Sequence, residues 1–182
     1  MSYIFEGDSE DAKRNRLSVI GGTGIAFNAV TNVKFSEEND SEWITLDEAK
    51  NWLRVDVTDD DTLITMLISA ARGVCENYAN LSFINRNVKA KIHNGLGDIT
   101  LPFGPVIGDV IYKDMDGNAL VISNLNEPYD GDFTAEYNAG FTALPANYKI
   151  AILCQIAYMY ENRGDGKIAD NAKVYLQQVR GV

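Results

Sequence analysis

The chain is poor in the residues that most reaction chemistry relies on. It has one histidine, two cysteines and four prolines among 182 residues. With so few imidazoles and thiolates, a zinc centre of nitrogen and sulfur ligands is not expected. The cysteines, Cys75 and Cys154, lie far apart, each inside an apolar helical pattern. They read as small buried side chains in a reducing compartment rather than as a disulfide. Bases are scarce too: 16 Lys and Arg stand against 26 Asp and Glu, a formal net charge of −10. That balance excludes a basic face gripping nucleic acid through its phosphates, though not a surface that DNA passes without sticking. No run approaches the roughly 18 to 20 apolar residues of a membrane helix. Met1–Asp8 lacks the basic head and apolar stretch of a secretory signal. The expectation is a soluble intracellular product with no membrane partner, in one domain with an appendage.

The first 42 residues differ from the rest. Glu6–Arg16 is mostly charged and polar, Leu17–Val33 is apolar and glycine-rich, and Ser36–Glu42 is acidic. No helical period survives there. The pattern predicts an extended arm with short strands at Ser18–Ile20 and Ala29–Phe35, then a solvated acidic linker, the whole ordering against a neighbour.

A compact core is expected over 43–163. Thr45-Leu46-Asp47-Glu48 is a capping box, in which hydroxyl and carboxylate each accept the other residue's amide. It predicts a helix over 45–53, with Leu46, Ala49, Trp52 and Leu53 on one side. Thr58-Asp59-Asp60-Asp61 predicts a second helix over 59–79, its carboxylates on the free amides and Leu63, Leu67, Ala70, Ala71, Val74 and Tyr78 as its buried stripe. From 87 to 137 the period becomes two. Val88, Ala90 and Ile92 alternate with Lys89, Lys91 and His93; Ile99 and Leu101 flank Thr100; Val106–Tyr112 is β-branched; Asp116-Gly117-Asn118 is a hairpin turn; Phe133–Tyr137 is a last strand. Helix returns over 145–162, with Pro145 in the first turn. Ile150–Tyr160 is apolar nearly all round, so one side exceeds what a core needs and suggests subunit packing. After a glycine break, 164–182 is amphipathic and reads as a docking segment for a neighbour. The fold class is thus mainly α with a small antiparallel β insertion (α+β).

Candidate chemistry yields little. Gly21-Gly22-Thr23-Gly24 lacks the third glycine of a dinucleotide fingerprint, where Phe27 stands, and has no Lys-Ser/Thr pair. Asp114–Asn118 begins like a calcium loop but has Ala119 and Leu125 where glycine and glutamate are required. Asp59–Asp61 reads as a helix start rather than a metal cluster. His93 has neither an orienting partner nor a nucleophile beside it, and Cys75 has only Arg72 near to lower its pKa. No catalytic, cofactor or metal residue is assigned. A second reading is a small carbohydrate- or ligand-binding module whose groove is lined by Phe103, Tyr112, Phe133, Tyr137 and Phe141.

Three blocks in order are more specific. Ile44-Thr45-Leu46-Asp47-Glu48-Ala49-Lys50-Asn51-Trp52-Leu53-Arg54-Val55-Asp56 with Asp59-Asp60-Asp61-Thr62-Leu63, then Ala70-Ala71-Arg72 through Glu76-Asn77-Tyr78, then Leu144-Pro145 through Ala157-Tyr158-Met159-Tyr160-Glu161-Asn162-Arg163, resemble the tailed-phage head–tail connector (adaptor or neck) family. Asn80-Leu81-Ser82 replaces that family's usual glycine-arginine, Met159 stands where tryptophan is common, and the first 42 residues lie outside the resemblance. The resemblance implies a virion structural protein assembled in the host cytoplasm and no enzyme. It implies a ring, twelve-fold by analogy, beneath the portal, which extends the DNA channel and meets a stopper or tail-completion protein below. Trp52, Tyr78, Tyr158, Tyr160, Val174, Tyr175, Leu176 and Val179 are the interface candidates, and acids of the helix start and linker are expected to face the channel.

Overall fold

The computed structural model describes residues 28–36, 42–94, 101–120, 131–162 and 166–177. Over these the chain is α+β, with five strands and four helices: β1 (Asn28–Ser36), α1 (Leu46–Leu53), α2 (Asp61–Ala79), β2 (Arg86–Asn94), β3 (Val106–Lys113), β4 (Ala119–Leu120), β5 (Gly131–Ala139), α3 (Ala146–Glu161) and α4 (Asp170–Gln177). The Ser18–Ile20 and Ile99 expectations lie outside the described residues. Leu101 is in irregular chain, not a strand.

The strands form one antiparallel sheet in the order β1-β2-β5-β3-β4. Contacts divide the chain into two compact units: Val88–Leu101, Val110–Glu136 and the chain up to Lys34 form one; Phe35–Asn87, Pro102–Asp109 and the chain from Tyr137 form the other.

The first unit is sheet. Its alternation is the expected one: Val88, Ala90, Ile92, Phe133 and Ala135 are buried, and Tyr112 meets Phe133 edge-on at 5.9 Å between ring centres. The other face is a ladder of charges. Lys89 Nζ lies 2.6 Å from Glu136 Oε1 and Lys113 Nζ 2.5 Å from Oε2, while Lys91 and His93 reach Asp132 at 3.0 and 2.6 Å. As β2 numbers rise their β5 partners fall, the signature of antiparallel pairing, and opposite charges face each other across the strands. The hairpin between β3 and β4 pairs Tyr112 with Leu120 and Lys113 with Ala119. Asp114 holds it: Oδ1 accepts from the Asp116 and Asn118 amides and Oδ2 from the Asn118 side chain, with Gly117 at φ 90°. β1 is a correction. Part of the arm expected to order against a neighbour is a strand of the chain's own sheet, with the Thr31 hydroxyl donating to Lys91 O at 3.2 Å.

The second unit holds the helices. The capping box is present: the Glu48 amide donates to Thr45 Oγ1 at 3.2 Å, and the Thr45 amide to Glu48 Oε2 at 2.8 Å. Those bonds hold the Glu48 carboxyl below its ordinary value. The α2 start differs from expectation. Asp60 is the cap residue, but its side chain makes no capping hydrogen bond. It accepts from the Tyr160 hydroxyl at 2.5 Å, and Asp61 pairs with Lys50 at 2.5 Å. The carboxylates thus fasten α2 to α3 and α1 instead of neutralising free amides. The buried stripe of α2 is Ile64, Ile68, Ala71, Arg72, Cys75 and Glu76, one position round from the expected one; Leu63, Leu67, Val74 and Tyr78 flank it half-buried and Ala70 is exposed. Pro145 is the cap of α3 rather than its first residue. α3 packs against α1, α2 and α4. The core joins Ile44, Ala49, Ile64, Ile68, Ala71, Cys75 and Phe83 to Leu144, Tyr148, Ala151, Ile152 and Ile156.

Beside the apolar core lies a buried ionic network that sequence patterning did not suggest. Glu76 is 2% exposed. Its Oε2 accepts from Arg72 at 2.9 Å and from Arg86, and its Oε1 from the Phe83 amide at 2.6 Å. Arg72 Nε reaches both Glu42 oxygens at 2.9 and 3.1 Å. Arg86 Nε donates to Ser82 Oγ at 2.6 Å, and its guanidinium lies 4.3 Å from the Phe35 ring centre. Trp43 Nε1 donates to Phe83 O at 2.7 Å. Around 102–105 the chain is pinned by Ser82 N to Gly104 O at 2.7 Å, by Gly140 N to Pro105 O at 3.0 Å and by the Tyr137 hydroxyl to Pro102 O. Gly140 is required: a Cβ there would stand 2.6 Å from Ile84 O.

Glu76→Ala leaves two guanidinium groups buried without their shared carboxylate and is expected to cost about 3–5 kcal/mol in urea unfolding. The charge ladder gives a pH dependence. Lys113 and Lys89 hold the Glu136 carboxyl below its ordinary 4.5, and His93 and Lys91 hold Asp132 below its ordinary 3.8. Because folding lowers both, their stabilisation is fully present above the ordinary values and is lost as pH falls below them. Glu136→Gln should flatten the acid limb of a thermal-melting profile against pH; an unchanged limb means the ladder contributes nothing.

Candidate assembly surface

The residues singled out for reaction chemistry are occupied structurally. Among the described residues no three His, Cys, Asp or Glu side chains gather as a metal site. Cys75 and Cys154 are free and buried, and burial, with the Glu76 charge second, pushes the Cys75 thiol up to about 12. His93 is a partner of Asp132, and Asp114 is the hairpin's own acceptor. Gly21–Gly24 lies outside the described residues. The aromatic groove of the ligand-module reading is not built. Phe133 and Tyr137 are fully buried, and Phe141 packs into the helical core against Phe83 and Tyr148. Phe103 meets Phe35 edge-on at 4.9 Å.

Of the interface candidates, Trp52 and Val174 are exposed, at 46% and 55%. Tyr78, Tyr158, Tyr160 and Tyr175 are half-buried against the helical core. The Tyr78 hydroxyl accepts from Gln177 Nε2 at 2.9 Å. Leu176 is 3% exposed and belongs to the core, so it has no surface to offer a neighbour. Val179 lies outside the described residues. The apolar surplus of α3 is likewise spent inside the chain. Its second side is covered by α4, through Ala169, Ala172 and Leu176. Gln155, fully buried, fixes that docking: its Nε2 donates to Lys167 O at 3.0 Å, and its Oε1 accepts from the Ala169 amide at 2.8 Å. The segment expected to dock on a neighbour therefore docks, as far as Gln177, on its own helices. Some acids expected at the channel are also engaged within the chain, Glu42 by Arg72, Asp60 by Tyr160 and Asp61 by Lys50.

Sequence reasoning passed over four exposed apolar residues of this unit, Phe35, Val57, Met66 and Val106, of which Met66 on α2 and Val57 before it are the most exposed. Met66 stands two residues from both Ile64 and Ile68, hence about 200° round the helix from the core axis. A stripe assigned one position off hid that relation.

A family model described as phage gp6-like head-tail connector protein matches residues 43–108. No curated protein matches. Among solved structures, one chain of the neck of an empty gene transfer agent (GTA) particle, computed with C6 symmetry, superposes with a TM-score of 0.61 at 19% identity, over 80% of this chain and 95% of that one. One from the virion of the native gene transfer agent particle gives 0.58 at 20% identity over the same shares. One from the neck of the native particle, computed with C12 symmetry, gives 0.52 at 19%, over 78% and 94%.

Removing everything after Asn162 should strip Leu176 from the core, about 1.5–3 kcal/mol for that side chain alone, and leave the Gln155 amide unpaired. The truncated chain is expected to melt well below the full one; equal melting would show that α4 contributes nothing to the core. Residues 43–108 thus match the model of the gp6-like head–tail connectors, the family that their motifs resemble.

Proposed function

We propose that the chain is a structural subunit of the neck of a tailed-phage-like particle. Copies close into a ring beneath the portal, twelve-fold to match it, extend the DNA channel, and meet a stopper or tail-completion protein on the far side. The protein is assembled in the host cytoplasm and resides in the virion. It performs no reaction. The observation that carries this reading is the connector match over 43–108 together with a fold that spans 95% of a neck subunit. That particle's neck was computed with C6 and C12 symmetry, and cyclic symmetry is what a closed head-to-tail interface produces. The net charge of −10 suits a lumen that repels phosphate and leaves DNA free to move. Around the 43–163 core, the arm ahead of β1 and the chain beyond α4 reach neighbouring subunits or the portal.

The test is sedimentation of the purified chain with and without a portal ring, with electron microscopy of the heavy fraction. Annuli whose mass is a multiple of 20.1 kDa, co-sedimenting with the portal and not retaining duplex DNA at low salt, are the expected result. Tight DNA binding, or particles that lack the protein, would overturn it.

A further inference from the structure

The outer face of the sheet unit carries a surplus of positive charge in a chain of net charge −10. Lys89, Lys91 and His93 of β2, Lys113 of β3 and Asp132 and Glu136 of β5 meet there. Ser36 reaches Asn87 on the same face at 3.4 Å, so Lys34, two residues before Ser36 on β1, belongs to it as well. Lys34 is exposed and pairs with no acid among the described residues. Four lysines and the chain's one histidine thus share the face with two carboxylates, each already divided between two bases. Asp109, on this face of β3 by alternation, adds a third acid and leaves the lysines in the majority. Between Asp109 and Lys113 on that strand stands Ile111, 54% exposed.

Charge and Ile111 together identify what this face takes. A phosphate backbone would meet the lysines but offer nothing to Ile111, and Glu136 and Asp132 already answer half of the lysine charge. The occupant that fits brings carboxylates around an apolar side chain. The helical unit displays such a segment. In Asp56-Val57-Thr58-Asp59, between α1 and α2, every residue is exposed, Val57 at 58%, and neither carboxylate bonds a described residue. The β3–β4 turn also sets an exposed apolar residue, Met115, between two acids, but Asp114 is spent on the turn itself. We propose that the Asp56–Asp59 loop of one copy docks on the lysine face of the sheet in the next, with Val57 toward Ile111 and the two carboxylates toward Lys34, Lys89 and Lys113. The two surfaces differ, so the contact is head-to-tail and propagates to a ring. This rests on the connector reading and names the subunit contact within it.

The experiment uses the full-length chain with a portal ring, and assembly is read by sedimentation. Lys34→Glu with Lys89→Glu reverses the face, and Asp56→Lys with Asp59→Lys reverses the loop. Either variant alone sets like charges against each other at every contact and should weaken assembly at least tenfold. Mixed in equal amounts, the two should assemble again, because each supplies the surface that the other lost. The loop variant should melt as the unmodified chain does. Lys34→Glu alone, which breaks no pair among the described residues, gives a smaller loss and decides the matter if the double face variant melts early. Variants that assemble as well as the unmodified chain, or a mixture that does not recover, would overturn this contact and leave the connector reading standing. Duplex DNA retained at low salt by the unmodified chain and lost by the face variant would make the face a phosphate site and overturn both. An unmodified chain that never joins the portal and is missing from particles would do the same.

Discussion

The helical unit depends on one buried carboxylate. Glu76 accepts from Arg72 on its own helix, from Arg86 at the start of β2 and from the Phe83 amide in the turn between. A carboxylate taken out of water costs several kcal/mol unless its oxygens are met by well-placed donors. The path taken by the 80–86 segment delivers both the amide and the guanidinium. The network therefore does more to specify that path than to add net stability. Its reach is wide: through Arg72 it fixes Glu42, where the described chain resumes ahead of α1, and through Arg86 it holds the Phe35 ring at the end of β1. The Trp43 indole bonding Phe83 O closes the same turn from the other side.

The sheet unit is organised differently. Its apolar face alternates small, β-branched and aromatic residues, and its polar face holds register by charge. Glu136 is shared by Lys89 and Lys113, on the two strands that flank β5, so a slip of either strand by one residue would lose a pair and turn apolar side chains outward. The hairpin at Asp114 needs no ion, because its carboxylate is saturated by the amides and side-chain amide of its own turn.

Local signals in the sequence translated well where they were self-contained. The capping box at Thr45, the alternation of Val88, Ala90 and Ile92 and the turn at Gly117 each depend on neighbours within a few residues, and each is found. What failed depends on distant partners. Asp60 and Asp61 do begin α2, but their carboxylates are claimed by Tyr160, a hundred positions away, and by Lys50 rather than by the free amides. The stripe of α2 was misplaced because Arg72 and Glu76 lie inside it, and charged residues count as exposed until their partners are known. The surplus of α3 was read as surface because α4, short and polar on its outer side, gave no sign that Ala169, Ala172 and Leu176 would cover it. Of the surface candidates, Trp52 and Val174 are exposed as a surface role needs, while Leu176 is not.

These misreadings share a cause with physical content. Charges on α1, α2 and the 80–86 turn are paired with one another, Lys50 with Asp61 and Arg72 and Arg86 with Glu76, and the Tyr160 hydroxyl takes up Asp60. Arg72 and Glu76 lie in the buried stripe of α2, so the helix carries its charges inward in an otherwise acidic molecule. For a monomer, that is a poor exchange, since exposed charge keeps copies apart and soluble. A helix side that carries no carboxylate is the side that repels a like-charged molecule least. The residues that anchor the fold from within thus account for every charge of α2, and its outer side between Thr62 and Asn77 carries none.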